Sequence, residues 1–253
     1  MPPKKQQLEP TWSRPEISGT IPTRRSGHSL TYSSESDVCF MFGGMRLGSD
    51  GGQLTNELYR LNMQAGGAVH WSKETAAGRV PPPTWRHTAN EFDSNKILIF
   101  GGFTGEVERT DEVWVLNTEH MTWSRPVASS SALLKGGVDS SMQGSSSSGG
   151  SGEHAQIGQQ QDEHGGHPLP PQGPQRPSPR GSHSAAVVEQ DLVVFGGYGG
   201  NGFARSDFSD LYALSLTDWQ WRAVEAHGTA PDSRSGHTSN VIMGRWMFVV
   251  GGW

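Results

Sequence analysis

A short apolar run that ends in two glycines occurs four times in this chain, and this recurrence constrains the fold more than any other feature. The copies are VCFMFGG at 38–44, KILIFGG at 96–102, DLVVFGG at 191–197 and WMFVVGG at 246–252. A histidine stands 13 to 15 residues before each first glycine, at His28, His87, His183 and His237. Self-similarity at a nearly fixed period is the signature of a repeat architecture, in which each unit is one supersecondary element.

Two further elements recur after the first three glycine pairs. The first is an aromatic residue two positions before a leucine, at Tyr59, Trp114 and Tyr212. The second is a tryptophan, at Trp71, Trp123 and Trp221. The glycine pairs are Gly43 and Gly44, Gly101 and Gly102, Gly196 and Gly197, and Gly251 and Gly252. The order of histidine, Gly-Gly, aromatic residue and tryptophan is therefore preserved in every full unit.

Each unit predicts four short strands: one after the histidine, one in the apolar run, one with the aromatic residue and one with the tryptophan. In the third strand Tyr59 and Leu61 point to one face and Leu58 to the other, because side chains alternate along a strand. A sheet that is apolar on both faces has to lie between neighbours, which the radial packing of blades provides. We expect the glycine pairs to leave the second strand with positive φ. The predicted fold is an all-β propeller with three blades and the first half of a fourth.

These motifs, at a spacing of roughly 50 residues, resemble kelch repeats. The resemblance implies a kelch-type β-propeller, a family whose rings usually have six or seven blades and are commonly closed by a terminal strand. Trp12 is followed by Gly19 and Pro22 at the same spacing that follows Trp71 and Trp221, so its segment resembles such a closing strand. The fourth unit stops at Trp253, directly after its glycine pair, which leaves completion either by further sequence or by a second chain.

The repeats and the composition between them predict four regions. We expect a disordered tip at 1–11, blades 1 and 2 with the leading closing strand at 12–127, a disordered insertion at 128–176, and blade 3 with the truncated blade 4 at 177–253. The insertion contains SSSSGGSG and PLPPQGPQRP and has no aromatic residue, so it cannot bury enough apolar area to fold. Its His154, His164 and His167 could suggest a metal, and PLPPQGP an SH3-type partner, but a solvated linker is the favoured interpretation.

Charge and hydropathy exclude several classes of function. The formal net charge of −5, from 20 basic and 25 acidic residues, argues against a nucleic-acid coat. No stretch approaches the roughly 18 apolar residues of a membrane helix. The single cysteine, Cys39, is typical of a reducing compartment. These features predict a cytoplasmic protein without nucleic-acid or membrane partners.

The candidate binding residues are arginines. By the resemblance, partners bind at one mouth of the ring, to the connections after strand two and the turns into strand one. The connections carry Arg46, Arg109 and Arg205, and the turns carry Arg25, Arg180 and Arg234. Guanidinium groups bind carboxylates in a bidentate manner, so the pattern predicts recognition of an acidic peptide or a C-terminal carboxylate. The alternative is that the arginines pair with nearby Asp50, Glu57, Glu106, Glu108, Asp111, Asp207 and Asp210, or bind backbone carbonyls between blades.

Catalytic readings have less support. The repeated histidines occupy the same place in every unit, which favours packing or turn hydrogen bonds over a metal or a general base. The Gly-rich GGYGGNG lies between strands, so it is no phosphate loop. We therefore predict a non-catalytic interaction module, scaffold or substrate adaptor that uses no metal or cofactor and binds a protein or an acidic peptide. The alternatives are the kelch region of a larger enzyme, such as a kelch-type Ser/Thr phosphatase, and the substrate receptor of a ubiquitin ligase.

Overall fold

The computed structural model describes residues 11–48, 51–128, 176–200 and 205–253. Within this part of the chain the regular structure is β-strand, and a single 3-10 turn lies at Ala65–Gly67. The prediction of an all-β fold with one sheet per repeat is confirmed. The predicted tip at 1–11 falls almost wholly outside the described residues. So does the predicted insertion at 128–176, with its three histidines and its proline-rich stretch.

The predicted strands form one sheet per repeat, and the inner strands of successive sheets pack side by side in chain order. Blade 1 comprises β3 (Ser29–Ser33), β4 (Val38–Phe42), β7 (Leu58–Met63) and β8 (Val69–Glu74). Blade 2 comprises β10 (Thr88–Phe92), β11 (Lys96–Phe100), β12 (Val113–Asn117) and β13 (Thr122–Ser124). Blade 3 comprises β15 (Ser184–Val188), β16 (Asp191–Phe195), β19 (Leu211–Ser215) and β20 (Trp221–Ala223). The hairpin of β21 (Thr238–Ile242) and β22 (Trp246–Val250) begins blade 4.

Blades 1 and 2 each carry a fifth, parallel strand that the sequence did not predict. Strand β1 (Ile17–Gly19) pairs with β8, with Gly19 opposite Trp71, and β9 (Ala77–Gly78) pairs with β13, with Gly78 opposite Trp123. The glycine that follows each tryptophan thus lies on the outer edge of the next blade. Trp12 itself lies outside any strand and is fully exposed. Its role as a ring-closing strand stays a prediction.

Short strands also form where the chain leaves strand two, and they fold over the turn into strand one. In blade 1 these are β2 (Arg25–Ser26), β5 (Met45–Gly48) and β6 (Gly51–Leu54). In blade 3 they are β14 (Arg180–Gly181), β17 (Tyr198–Gly199) and β18 (Ser206–Asp207). Blade 2 has only two bridges at this position, and both involve Phe103. We call this side of the propeller the mouth.

Aromatic rings from strand two and strand four fill the space between neighbouring blades. The Phe42 ring of blade 1 lies 5.1 Å from the Trp123 ring of blade 2, measured between centroids. The equivalent pair between blades 2 and 3 is Phe100 and Trp221, at 5.0 Å. Phe42, Phe100 and Trp123 are buried, and each pair lies within a separate apolar cluster. The core is therefore a series of similar layers between blades.

The repeated histidines join each blade to the one before it. The Nε2 atom of His87 lies 2.9 Å from the Ser29 hydroxyl, that of His183 lies 3.0 Å from the Thr88 hydroxyl, and that of His237 lies 2.9 Å from the Ser184 hydroxyl. In each case the hydroxyl belongs to the residue that follows the preceding blade's own histidine. The three histidines are buried. This supports the packing and hydrogen-bonding role that their repeated position predicts.

The glycine pairs complete the same junction. The amide of the second glycine donates to a carbonyl of the next blade, over 2.8 Å from Gly44 to Thr84 and 2.8 Å from Gly102 to Arg180. All eight glycines have positive φ, between 62° and 105°. A Cβ on Gly43 or Gly101 would meet the next blade's histidine ring at 3.0 or 2.8 Å. We refer to the histidine–hydroxyl contact and this glycine contact together as the blade lock.

The histidine–hydroxyl contact can be tested with a matched pair of threonines. Thr88→Val keeps the side chain's shape but leaves His183 Nε2 without its partner, so the free energy of unfolding should fall by about 1–2 kcal/mol. Thr238 is the equivalent residue of blade 4 and is exposed, so Thr238→Val should change stability little. Urea unfolding of both variants measures the difference. Equal losses in the two variants would mean that the contact does not stabilise the propeller.

Candidate partner-binding face at the propeller mouth

The three arginines of the turns into strand one bind their own blades. Each donates from Nη1 to the carbonyl of the first glycine of its pair. The distances are 3.2 Å from Arg25 to Gly43, 2.9 Å from Arg180 to Gly196 and 3.0 Å from Arg234 to Gly251. This hydrogen bond stabilises the sharp turn that follows strand two. There the positive φ of the first glycine turns its carbonyl away from the neighbouring strands of the sheet. These three side chains hold the mouth's backbone.

Two of these arginines also form ion pairs inside the blade. Nη2 of Arg25 lies 2.8 Å from Glu57, and Nη2 of Arg180 lies 2.9 Å from Asp210. Both guanidinium groups are almost completely shielded from solvent, with side-chain exposures of 2% and 0%. Arg180 also stacks on the Phe208 ring, at 4.4 Å from its centroid. The donors of Arg25 and Arg180 are therefore engaged within the protein.

Glu57 neutralises much of the positive charge around blade 1. Burial acts to raise its pKa, but hydrogen bonds from Lys73 and Arg25 outweigh burial and lower the pKa to about 2. Arg46 is a third cation, with Nη1 at 3.7 Å from the Glu57 carboxylate. Glu57 is thus ionised at neutral pH and already paired, so it offers little repulsion to an incoming anion.

The three arginines in the connections after strand two, Arg46, Arg109 and Arg205, differ from those in the turns into strand one. We call the first set the exit arginines and the second set, Arg25, Arg180 and Arg234, the turn arginines. The Nε atoms of Arg46, Arg109 and Arg205 are buried, and none has a hydrogen-bond partner among the described residues. Arg46 donates to Gln53 over 2.6 Å and Arg109 donates to the Val107 carbonyl over 2.7 Å. Within the described ranges no carboxylate lies within ion-pairing distance of Arg109 or Arg205. Arg109 and Arg205 thus keep a guanidinium charge that no carboxylate of the described residues pairs with, whereas Arg46 lies near Glu57.

Arg109 is held between two aromatic rings. Its guanidinium carbon lies 4.8 Å from the centroid of Phe103 and 4.9 Å from that of Tyr198, which belongs to the next blade. Burial lowers the pKa of Arg109, and the neighbouring positive charge of Arg205 lowers it further. The two guanidinium groups therefore lie close enough to repel one another. An anion between them would relieve that repulsion.

The stack continues from Phe103 towards the hub. The rings of Trp85 and Phe103 lie 5.5 Å apart, and the Arg86 guanidinium carbon lies 4.6 Å from the Trp85 ring centroid. A continuous stack of two guanidinium groups and three rings thus extends across the mouth of blades 2 and 3, in the order Arg86, Trp85, Phe103, Arg109 and Tyr198. Arg86, Trp85, Phe103 and Tyr198 were not predicted as site residues. The one available signal was the TWRHT segment, where the arginine directly precedes the histidine instead of standing three residues before it.

A shallow cavity of about 360 Å³ opens next to this stack, near the hub. Backbone amides follow its rim from blade to blade, since Arg86 donates to the Gly27 carbonyl over 2.7 Å, Ser182 to Arg86 over 2.9 Å, and Gly236 to Ser182 over 2.8 Å. The cavity is lined by Arg86, His87, Ser182, His183, Ser235, Gly236, His237 and Trp253. These bonds link the four blades along the rim, with a carbonyl from blade 1 and one donating amide each from blades 2, 3 and 4.

Comparison with known proteins agrees with this architecture. The family model described as the KLHDC2/KLHL20/DRC7 Kelch-repeats domain matches residues 7–148 and 167–253. Those ranges include nearly the whole chain and all four repeats. The chain belongs to the kelch-repeat family.

Several longer proteins contain a region similar to this chain. It is 28% identical to human Host cell factor 2 over 265 residues, which covers 94% of this chain and 27% of that protein. It is 26% identical to Kelch domain-containing protein 2 of Bos taurus, covering 95% of this chain and 52% of that protein. It is 25% identical to the Dynein alpha chain, flagellar outer arm, of Chlamydomonas reinhardtii, covering 90% of this chain and 4% of that protein. The chain thus spans at most about half the length of these relatives.

In the part of the chain that the structure describes, no helix is long and apolar enough to span a lipid bilayer.

Proposed function

We propose that this chain is a protein-binding module that receives a carboxylate-rich peptide segment at the propeller mouth. The observation that carries the proposal is Arg109, whose guanidinium lies between the rings of Phe103 and Tyr198 and whose buried Nε has no hydrogen-bond partner among the described residues. A planar cation that aromatic rings already orient loses little conformational freedom when it binds a carboxylate. The exit arginines, rather than all six arginines, are the proposed contact residues.

The turn arginines support the proposal indirectly. Arg25 and Arg180 donate hydrogen bonds to glycine carbonyls and to Glu57 and Asp210, so they hold the backbone of the mouth in place. A bound peptide would contact the exit arginines and the stacked side chains of Arg86 and Trp85. The aromatic surfaces would add apolar contact beside the charged one, a combination common at protein interfaces.

Peptide binding can be measured by fluorescence anisotropy with a labelled glutamate-rich peptide. Arg109→Gln should weaken its binding about tenfold, the loss expected when one charge-assisted hydrogen-bonding partner is removed. Binding should also weaken as salt is added, because the attraction is electrostatic. An otherwise identical peptide with an amidated C-terminus distinguishes recognition of internal acidic side chains from recognition of a terminal carboxylate.

Arg245→Gln serves as the matched control. Arg245 stacks on Trp246 in the turn between β21 and β22, at the opposite end of the hairpin from the mouth. Its replacement removes the same charge and should leave the peptide's affinity unchanged. A lysine-rich peptide that binds as tightly as the glutamate-rich one, or an Arg109→Gln protein that binds as well as the parent, would refute the proposal.

The broader alternatives stay predictions. In the relatives the similar region is part of a longer protein, so a catalytic region elsewhere in the polypeptide or a role as a ubiquitin-ligase substrate receptor is compatible with peptide binding at this mouth. The cytoplasmic location inferred from the composition also stays a prediction.

A further inference from the structure

Ser178 lies in the turn into strand one of blade 3 and is the single serine or threonine of the chain that a proline follows. Pro177 and Pro179 flank it, and Arg176 and Arg180 stand two residues to either side. Ser178 is exposed and lies outside the strands. Because a residue before proline favours an extended backbone, its hydroxyl is presented on an extended segment at the surface.

The guanidinium of Arg180 is already positioned beside this hydroxyl. Its Nη2 atom lies 3.4 Å from Ser178 Oγ, and its Nε donates to the Ser178 carbonyl over 3.0 Å. Hydrogen bonds to Gly196 and Asp210 hold the guanidinium in place, and the side chain is completely shielded from solvent. A phosphate on Ser178 Oγ would therefore meet a cation that is oriented before the phosphate arrives.

The turn arginines of blades 1 and 4 contact the residue two positions before them in the same way. Arg25 donates from Nε to the Thr23 carbonyl over 3.1 Å and from Nη2 to the Thr23 hydroxyl over 3.0 Å. Arg234 donates from Nε to the Asp232 carbonyl over 3.1 Å. The position thus carries a hydroxyl in blades 1 and 3 and a carboxylate in blade 4. Since the turn keeps its geometry with an anionic side chain, an anion at Ser178 is compatible with the fold.

Arg176 is a second cation on the same segment. Its Nη2 atom lies 2.7 Å from the carboxylate of Asp111 and donates to the Asp111 carbonyl over 3.1 Å. Unlike Arg180, Arg176 has a half-exposed side chain, with 53% exposure. An exposed guanidinium can exchange a carboxylate for a phosphate, which carries more charge and more acceptor oxygens.

The segment that carries Ser178 runs along the exit of strand two in blade 2. The Arg180 amide donates over 3.3 Å to the carbonyl of Thr110, which directly follows Arg109. Ser178 is two residues from this contact. A charge on its side chain would act on Arg109 across a distance comparable to the Debye length, about 8 Å at physiological ionic strength.

We propose that Ser178 is a phosphorylation site whose phosphate is bound by Arg176 and Arg180 and weakens the binding of acidic peptides at the mouth, an effect that rests on the proposed function. The enzyme would be a proline-directed protein kinase, the class that accepts proline directly after the phosphorylated residue. Ser178 Oγ attacks the γ-phosphorus of ATP, the bond from that phosphorus to the β-phosphate oxygen breaks, and ADP leaves. The hydroxyl proton passes to a carboxylate of the kinase and then to water.

The phosphate changes the balance of charge beside the blade 2 exit. It carries about −1.5 to −2 charges at pH 7. Arg176 and Arg180 are already paired with Asp111 and Asp210, so the added charge is not neutralised by a free cation of the segment. The potential at Arg109 becomes less positive, and we expect an acidic peptide to bind about fivefold more weakly.

Phosphate incorporation tests the site directly. The parent chain, incubated with ATP and a proline-directed kinase, should take up about one phosphate per molecule, and mass spectrometry of a digest should locate it at Ser178. Ser178→Ala should take up none. Ser233→Ala is the matched control, because Ser233 is exposed in the equivalent turn of blade 4 but is followed by arginine, and it should be modified as the parent is. A parent chain that takes up no phosphate, or a Ser178→Ala chain that takes up as much, would overturn the proposal.

Binding of the labelled glutamate-rich peptide tests the effect on the mouth. The phosphorylated chain should bind it about fivefold more weakly than the unmodified chain, and treatment with a phosphatase should restore the affinity. Ser178→Ala, carried through the same kinase reaction, should keep the affinity of the unmodified chain. Absence of binding to the unmodified chain would refute the proposed function, whereas equal binding before and after phosphorylation would refute the regulation alone.

The contact with the arginines can be measured without any peptide. The phosphorus-31 chemical shift of the modified chain, followed over pH, gives the pKa at which the phosphate becomes a dianion. Arg176→Gln should raise this pKa, because a neighbouring positive charge favours the dianion. Arg245→Gln, which removes a charge at the far end of the blade 4 hairpin, should leave it unchanged. If Arg176→Gln leaves the phosphate pKa unchanged as well, the assignment of Arg176 as a phosphate ligand is wrong.

Discussion

Gly101→Ala should destabilise the propeller by about 4 kcal/mol, as measured by urea or guanidinium unfolding. The new methyl group would lie 2.8 Å from both the Arg180 carbonyl oxygen and the His183 ring, and neither can withdraw without breaking the junction between blades 2 and 3. Crowding of this kind costs about 1–3 kcal/mol. The φ of 66° adds about 1–3 kcal/mol for a residue that carries a Cβ.

Gly251→Ala separates the two causes. Gly251 has a similar φ of 74° but open space where the methyl group would go. We therefore expect only the conformational cost, about 1–3 kcal/mol. If both substitutions lower the free energy of unfolding equally, close packing against the next blade's histidine is not the reason that Gly101 has to be a glycine.

The second large effect is a steep loss of stability in mild acid. Burial lowers the pKa of His87 from 6.5 to about 3, and burial likewise lowers the pKa values of His183 and His237. The positive charge of Arg180 lowers that of His183 further. The Nδ1 atoms of His87 and His183 are buried and lack hydrogen-bond partners among the described residues, so an added proton would find no acceptor.

The direction of this effect follows from proton binding. Below pH 6.5 the unfolded chain binds a proton at each of these histidines, whereas the native chain binds each proton only at a lower pH, near 3 for His87. The stability is thus fully present above pH 6.5 and is lost as the pH falls, by up to about 1.4 kcal/mol per pH unit for each histidine. Glu57 adds nothing in this window, because its contribution is present above pH 4.5 and is lost only as the pH falls towards 2.

Urea unfolding at a series of pH values between 7.5 and 5 measures the number of protons taken up on unfolding. His87→Gln provides the internal comparison, since glutamine does not titrate and can still reach Ser29. It should lower overall stability but reduce the pH dependence by about one proton. A free energy of unfolding that stays flat between pH 7 and pH 5 in the parent chain would contradict the assignment of these histidines as buried neutral groups.

The repeat order predicted the blades because each repeated residue makes the same kind of contact in every unit. The histidine after the turn, the glycine pair and the tryptophan all lie at junctions between blades, so their spacing along the chain directly reflects the radial packing. The outer parallel strands were missed because Ile17–Gly19 and Ala77–Gly78 are too short to show alternation. Their existence depends on the edge of a neighbouring strand, which a single segment does not encode.

The division of the six arginines could not be predicted for a different reason. Arg25 and Arg109 carry the same charge and lie in similar polar turns, but one reaches a glycine carbonyl and a carboxylate while the other lies between two rings. That difference depends on residues far apart in sequence, such as Tyr198 for Arg109. A regular offset was nevertheless available, since Arg25, Arg180 and Arg234 each precede the glycine that they bind by 16 to 18 residues.

The contacts of the blade lock join residues of adjacent blades, and those contacts are alike whether the connecting chain is short or long. The lock between blades 2 and 3 has the same geometry as the others, although the connection from β13 to β14 is by far the longest. Because the entropy of closing a loop grows only logarithmically, doubling such a connection costs about 0.6 kcal/mol. The connection between blades 2 and 3 is accordingly a site where residues can be inserted, deleted or replaced, in evolution or by design, without changing the contacts between the blades.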